Sequence, residues 1–65
     1  VDVLNRFLRE LSEERRKMFL QRYWYMNSIK EIAAEWSVSE SKVKMTLLRV
    51  RAELKQRLES EGIYL

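Results

Sequence analysis

Four basic side chains, Lys42, Lys44, Arg49 and Arg51, fall in the stretch from Ser41 to Ala52, which contains no acid. Cations of this kind bond phosphate oxygens, and Arg or Lys can also bond the major-groove edge of guanine. Between them stand Ser41, Met45, Leu48 and Ala52. At roughly 100° per residue these four share one side of a helix. Lys42 and Arg49 then flank that side on one edge, and Lys44 and Arg51 on the other. An exposed Met and Leu among cations suit a surface that meets base edges, because an apolar group can touch a thymine methyl. The charges alone fit a second reading equally well, in which the face is merely solvated.

Such a face needs a helix held from behind. Val43, Leu47, Val50, Leu54 and Leu58 recur at spacings of four, three, four and four, a single apolar stripe on the opposite side. The spacing predicts a helix from about Ser39 past Leu58, stopped by Gly62 and followed by an apolar tail of Ile63, Tyr64 and Leu65. Ser39 can cap it, with Glu40 at the positive end of its dipole. Upstream, Ile29, Ile32, Ala33 and Trp36 lie on one helical face, and Ser28-Ile29-Lys30-Glu31 fits the S-x-x-E capping box. Ser37-Val38-Ser39 breaks the pattern between them. Two capped helices joined by a three-residue turn, the second carrying the basic excess, predict a helix-turn-helix at about residues 28–58. That pairing favours DNA over the solvated face.

Two further helices are expected upstream. Leu4, Phe7, Leu8 and Leu11 make the apolar face of one from about Val3 to Leu11, a packing element. Ser12 caps the next, with Glu13 and Glu14 in its first turn, and it runs to about Tyr25. Met18, Phe19 and Tyr23 are expected to face inward, with Arg22 beside a carboxylate such as Glu31. Arg15-Arg16-Lys17 reads as a solvated basic face near two glutamates rather than a ligand site, with some phosphate contact left open. Tyr23-Trp24-Tyr25-Met26 is too dense in aromatics for all to point inward, so Trp24 or Tyr25 is expected to be partly exposed. Such exposure serves sub-core packing or a protein partner, since aromatics are enriched at interfaces. Asn27 is expected to end the helix.

The fold class that follows is all-α: four helices in one domain, residues 1–65, with a C-terminal helix-turn-helix and a long recognition helix. Absence of Pro and a single Gly disfavour a turn-rich β fold. A chain of 65 residues is small for a self-supporting core, and with no Cys it has neither disulfides nor thiolate metal sites to help. A hydrophobic fraction of 46% must supply the core through helix packing. No apolar run reaches the length of a membrane span or signal sequence, and the lack of Cys fits the cytoplasm. The chain starts at Val1 and is read as a piece of a longer protein.

The net charge of +3 is unevenly placed. Residues 1–40 carry seven basic and seven acidic side chains, and residues 41–65 carry six and three. The whole excess therefore lies on the last helix, a footprint for a polyanion. Catalytic parts are missing. With no His, the serines have no imidazole to activate them, the carboxylates are dispersed, and there is no glycine-rich phosphate loop or metal-ligand cluster. The expectation is a non-enzyme without cofactor or metal.

The run from Leu11 to Arg51 resembles the C-terminal region 4 of bacterial RNA polymerase sigma factors, most closely the extracytoplasmic-function branch of the sigma-70 family. The resemblance rests on Leu11-Ser12-Glu13-Glu14-Arg15, Arg22-Tyr23, Glu31-Ile32-Ala33, Val38-Ser39-Glu40-Ser41, Val43-Lys44, and Leu47 followed by Arg49 and Arg51. It implies a four-helix domain that reads the −35 promoter element in the major groove and docks on the β-subunit flap of RNA polymerase. An anti-sigma factor is a further partner it allows. Carried onto this chain, the base-contacting positions are Ser41, Lys44, Met45, Leu48 and Arg49. Lys42, Arg51 and Ser39 would hold phosphates. Trp24 and Tyr25 are the candidate surface for the protein partner. Two positions depart from the family pattern: Ser37 stands where Gly is usual in the turn, and Trp36 where Leu is usual before it.

Two rival readings compete. A stand-alone helix-turn-helix regulator of response-regulator effector type would bind DNA, usually as a dimer on repeated half-sites, without needing the polymerase. A helical interaction module would use the Trp24-Tyr25 surface, and the cations would be incidental.

Overall fold

Serine oxygens start three of the four helices. Ser12, Ser28 and Ser39 are all extended, and each accepts from the backbone N–H three residues on, that of Arg15, Glu31 and Lys42 respectively. The computed structural model describes residues 2–63. It holds α1 (Asp2–Glu10), α2 (Glu13–Tyr23), α3 (Ile29–Trp36) and α4 (Glu40–Ser60), with no strand among the described residues. The fold is the expected all-α arrangement. The capping box is complete, with Glu31 Oε1 accepting from the Ser28 N–H at 2.7 Å while the Ser28 hydroxyl serves Glu31.

The core forms along α4. Val43 and Leu47 are buried with Met18 of α2 and Ile32 and Ala33 of α3. One and two turns further, Val50 is buried with Phe7 and Leu11, and Leu54 packs against this second cluster. Phe19 touches both clusters and joins them. The apolar stripe on α4 is thus used in sequence order, first by α2 and α3, then by α1. At 1.5 Å per residue α4 is about 32 Å long, which accounts for most of the 37 Å long axis of the molecule.

Two helix ends show the same hydrogen-bond pattern. At the end of α3 the Ser37 N–H donates to Ala34 O and the Val38 N–H to Ala33 O. At the end of α4 the Gly62 N–H donates to Glu59 O and the Ile63 N–H to Leu58 O. Both are Schellman motifs, which need a left-handed residue at the turn. Gly62 supplies it at φ 80° without strain, whereas Ser37 adopts φ 55°, ψ 44° with a Cβ.

Several expectations needed correction. α2 stops at Tyr23 and not Tyr25, because the N–H groups of Trp24 and Tyr25 both turn back to Leu20 O and Met26 takes a positive φ of 59°. The reversal is at Met26, not Asn27. Arg22 does not pair with Glu31, whose carboxylate is committed to the cap, but donates to Asn27 O at 3.1 Å. Tyr23 packs its ring on Phe19 but is not buried: it is 40% exposed. Leu4 is also exposed, although Phe7, Leu8 and Leu11 of the same stripe pack as expected. In the basic run Lys17 meets Glu13 within α2, as a face near two glutamates would, but Arg15 pairs with Glu53 across to α4. Of the apolar tail, Ile63 is exposed, and Tyr64 and Leu65 lie outside the described residues.

Candidate nucleic-acid interface

The turn fixes how α4 leaves α3. Ser37 reverses the chain, Val38 packs against the core beside α3, and Ser39 caps α4 with its hydroxyl accepting from Lys42 N at 3.0 Å. Three residues therefore separate two helices that share one core. With Val43, Leu47 and Val50 buried, the opposite side of α4 must face out. Ser41, Lys44, Met45, Leu48, Arg49 and Ala52 are all exposed, Met45 by 47% and Leu48 by 51%. The structure brings these residues onto one open surface, as the angular argument required.

The flanking cations differ in how they are held. Lys42 Nζ lies 3.6 Å from the Glu14 carboxylate at the start of α2. On the other edge, the Arg51 Nη1 donates to the Tyr23 hydroxyl at 2.9 Å. Among the described residues, Lys44 and Arg49 have no carboxylate within 4 Å. Ser39, expected to meet phosphate, spends its oxygen lone pair on the cap, and its O–H remains able to donate. A cleft of about 420 Å³ between the start of α2 and α4 is lined by Glu14, Arg15, Lys42, Thr46, Arg49 and Glu53. It brings two acids close to one edge of the cationic face.

A second surface lies past the end of α2. Trp24 and Tyr25, just past the end of α2, are 75% and 69% exposed, so both are exposed where one was expected. They rim an apolar groove of about 600 Å³ whose walls include Leu4, Leu8, Leu20 and Leu54. The sequence pattern missed the leucines as groove residues, because a helical stripe shows which side is apolar and not how completely a neighbour covers it. It also missed Glu14 and Tyr23 as partners of Lys42 and Arg51. Those pairings depend on how α2 crosses α4, which periodicity does not encode.

Trp36 finds room half-buried against the α2–α3–α4 core, and its indole N–H donates to Gln21 Oε1 at 2.8 Å. Gln21 in turn donates to the Glu35 carboxylate. The larger side chain is therefore accommodated on the side of the domain occupied by α2, away from the exposed face of α4. No helix among the described residues is long and apolar enough to cross a membrane.

Comparison with known proteins agrees with this geometry. Residues 2–54 match the family described as sigma-70, region 4, a span that includes α1, α2, α3 and α4 as far as Leu54, with the exposed cationic face. Neither a curated protein nor a solved structure matches the chain. With most of its length matched, the helix-turn-helix in place and the outer face of α4 open to solvent, the chain belongs to the sigma-70 region 4 family, the DNA-binding domains that serve −35 promoter recognition in transcription initiation.

Proposed function

We propose that residues 1–65 form one region 4 domain of an extracytoplasmic-function sigma factor, working in the bacterial cytoplasm. α4 lies in the major groove of the −35 element, and the domain docks on the β-subunit flap of RNA polymerase. The observation that carries the reading is the outer face of α4. It is exposed along its length, holds four cations and no acid from Ser41 to Ala52, and is fixed from behind by buried Val43, Leu47 and Val50.

The roles divide by chemistry. Arg49 and Lys44, free of carboxylate partners among the described residues, are the groups to bond guanine. Met45 and Leu48 at the centre of the face suit thymine methyls, the apolar groups the major groove offers. Ser41 reaches a base edge from the first turn. Lys42, Arg51 and Ser39 hold phosphates on either side and set the register. A net charge of +3 supplies little non-specific attraction, so the isolated domain binds weakly and relies on polymerase contacts for effective concentration.

The groove beside Trp24 and Tyr25 supports the flap assignment. It is apolar and open, and apart from Tyr23, whose hydroxyl holds Arg51, its walls include none of the candidate DNA-contacting residues, so a protein seated there leaves the outer face of α4 open. An anti-sigma factor that covered either surface would block promoter use. Titration of the domain with a β-flap fragment tests the docking. Binding that is lost in Trp24→Ala and Tyr25→Ala is expected. Absence of flap binding together with dimeric binding to palindromic DNA would instead support a stand-alone regulator.

A further inference from the structure

Arg51 differs from the other cations of α4 in the kind of group that holds it. Lys42 and Arg57 each meet a carboxylate, Glu14 and Glu10, and part of their charge is neutralised there. Lys44, Arg49 and Lys55 have no carboxylate partner among the described residues. Among the described residues, Arg51 is the one cation of this helix held by a neutral side chain, the Tyr23 hydroxyl, at 2.9 Å. A hydroxyl can accept one guanidinium N–H without cancelling the charge, and it leaves four donors unspent.

The holder is itself fixed. Tyr23 is the last residue of α2, and its ring lies 4.9 Å from that of Phe19, tilted by 46°. Phe19 packs against both core clusters. The hydroxyl is therefore anchored to the core through two aromatic rings, although Tyr23 is partly exposed. A long arginine that is already ordered loses less freedom when it meets its ligand.

We infer that Tyr23 is a positioning residue for DNA binding: its hydroxyl holds the Arg51 guanidinium, fully charged, where it meets a backbone phosphate. The inference rests on the reading of α4 as the DNA-contacting helix. It assigns to α2 a part in DNA affinity without any contact between α2 and DNA.

The test uses the wild-type chain, Tyr23→Phe, Arg51→Ala and the double variant. The probe is a short duplex recovered by the wild-type chain from a randomised library, titrated from about 50 to 200 mM salt. Tyr23→Phe keeps the ring on Phe19 and removes only the hydroxyl. Arg51→Ala is expected to weaken binding and to flatten the salt slope by about one. Tyr23→Phe is expected to weaken binding about two- to tenfold, and to have no further effect once Arg51 is gone. Loss of the Tyr23→Phe effect in the Arg51→Ala background separates positioning from a fold effect. Weakening by Arg51→Ala with none by Tyr23→Phe overturns the positioning role and leaves the DNA reading standing. Equal loss from Tyr23→Phe in both backgrounds also overturns it, because the tyrosine would then act on the fold. An unchanged salt slope in Arg51→Ala removes Arg51 from the phosphate set, and failure to recover any duplex contradicts the DNA reading itself.

Discussion

The indole N–H of Trp36 donates to Gln21 Oε1 at 2.8 Å, tying the end of α3 to the middle of α2. A buried or half-buried indole needs such a partner. Replacing Gln21 by Leu is expected to lower stability by about 1 kcal/mol, the usual cost of one lost hydrogen bond. For a domain of this size that is a fall of roughly 4–8 °C in Tm. In a Trp36→Leu background, where no N–H remains to be satisfied, the same replacement is expected to cost less. Thermal unfolding of the wild type and the three variants checks this, and equal costs in both backgrounds would show that the bond contributes nothing.

Ser37 sits in the left-handed region at φ 55°, where a Cβ is strained and glycine is not. Ser37→Gly is expected to stabilise the domain by about 0.5–1 kcal/mol, relief of the turn strain less the entropy of a glycine in the unfolded chain. Ser37→Val is expected to destabilise it, since a β-branched side chain suits that region worst. Denaturant midpoints measure both. A Gly variant no more stable than wild type would mean the turn carries no strain.

The Glu31 carboxyl is held below the ordinary glutamate range, chiefly by the hydrogen bond from the Ser28 backbone N–H and then by the Ser28 side chain. Glu10 is lowered first by its hydrogen bond from Arg57. A depressed folded pKa means that the unfolded chain takes up the proton more readily, so these groups stabilise the fold above the unfolded pKa. That contribution is lost as the pH falls through the folded value. Stability is therefore expected to be level near neutrality and to fall in the acid range below the usual glutamate pKa. Glu31→Gln keeps an oxygen for the Ser28 N–H and is expected to flatten part of that fall, read from Tm against pH. An unaltered acid limb would remove Glu31 as a contributor.

Much of the fold could be read from spacing. The stripe on α4, the capping serines and the three-residue turn are local patterns, and local hydrogen bonds and burial follow from them. The exposed face of α4 was legible for the same reason, as the reverse of the stripe. What could not be read was set by packing between helices. Periodicity put Tyr23 inside, whereas the end of α2 at Tyr23 carries its hydroxyl out to Arg51. Arg22 and Glu31 have opposite charges and look like partners in the sequence, but backbone groups, Asn27 O and Ser28 N–H, claim them first.

Lys42 and Glu14 stand 3.6 Å apart on the edge of the exposed face of α4. An exposed pair of this kind contributes about 0–1 kcal/mol to stability, so its consequence lies in DNA binding. Lys42→Ala is expected to weaken binding to all sequences alike and to flatten the salt slope by about one. Glu14→Gln is expected to strengthen binding at low salt, because it releases Lys42 and removes a negative charge near the phosphates, with little change in Tm. Fluorescence anisotropy across a salt series measures both. Weaker binding by Glu14→Gln would contradict the assignment of Lys42 to phosphate.

The central claim is that the exposed face of α4 reads base sequence, with Arg49 on a guanine. Selection from a randomised duplex library, carried out in parallel with the wild-type chain and Arg49→Ala, tests it most directly. One enriched motif is expected from the wild type. The Arg49→Ala motif should match it except at one relaxed position, with a loss of about 1–3 kcal/mol on the wild-type site. No enriched motif, or an equal loss on selected and random DNA, would contradict base reading by this helix.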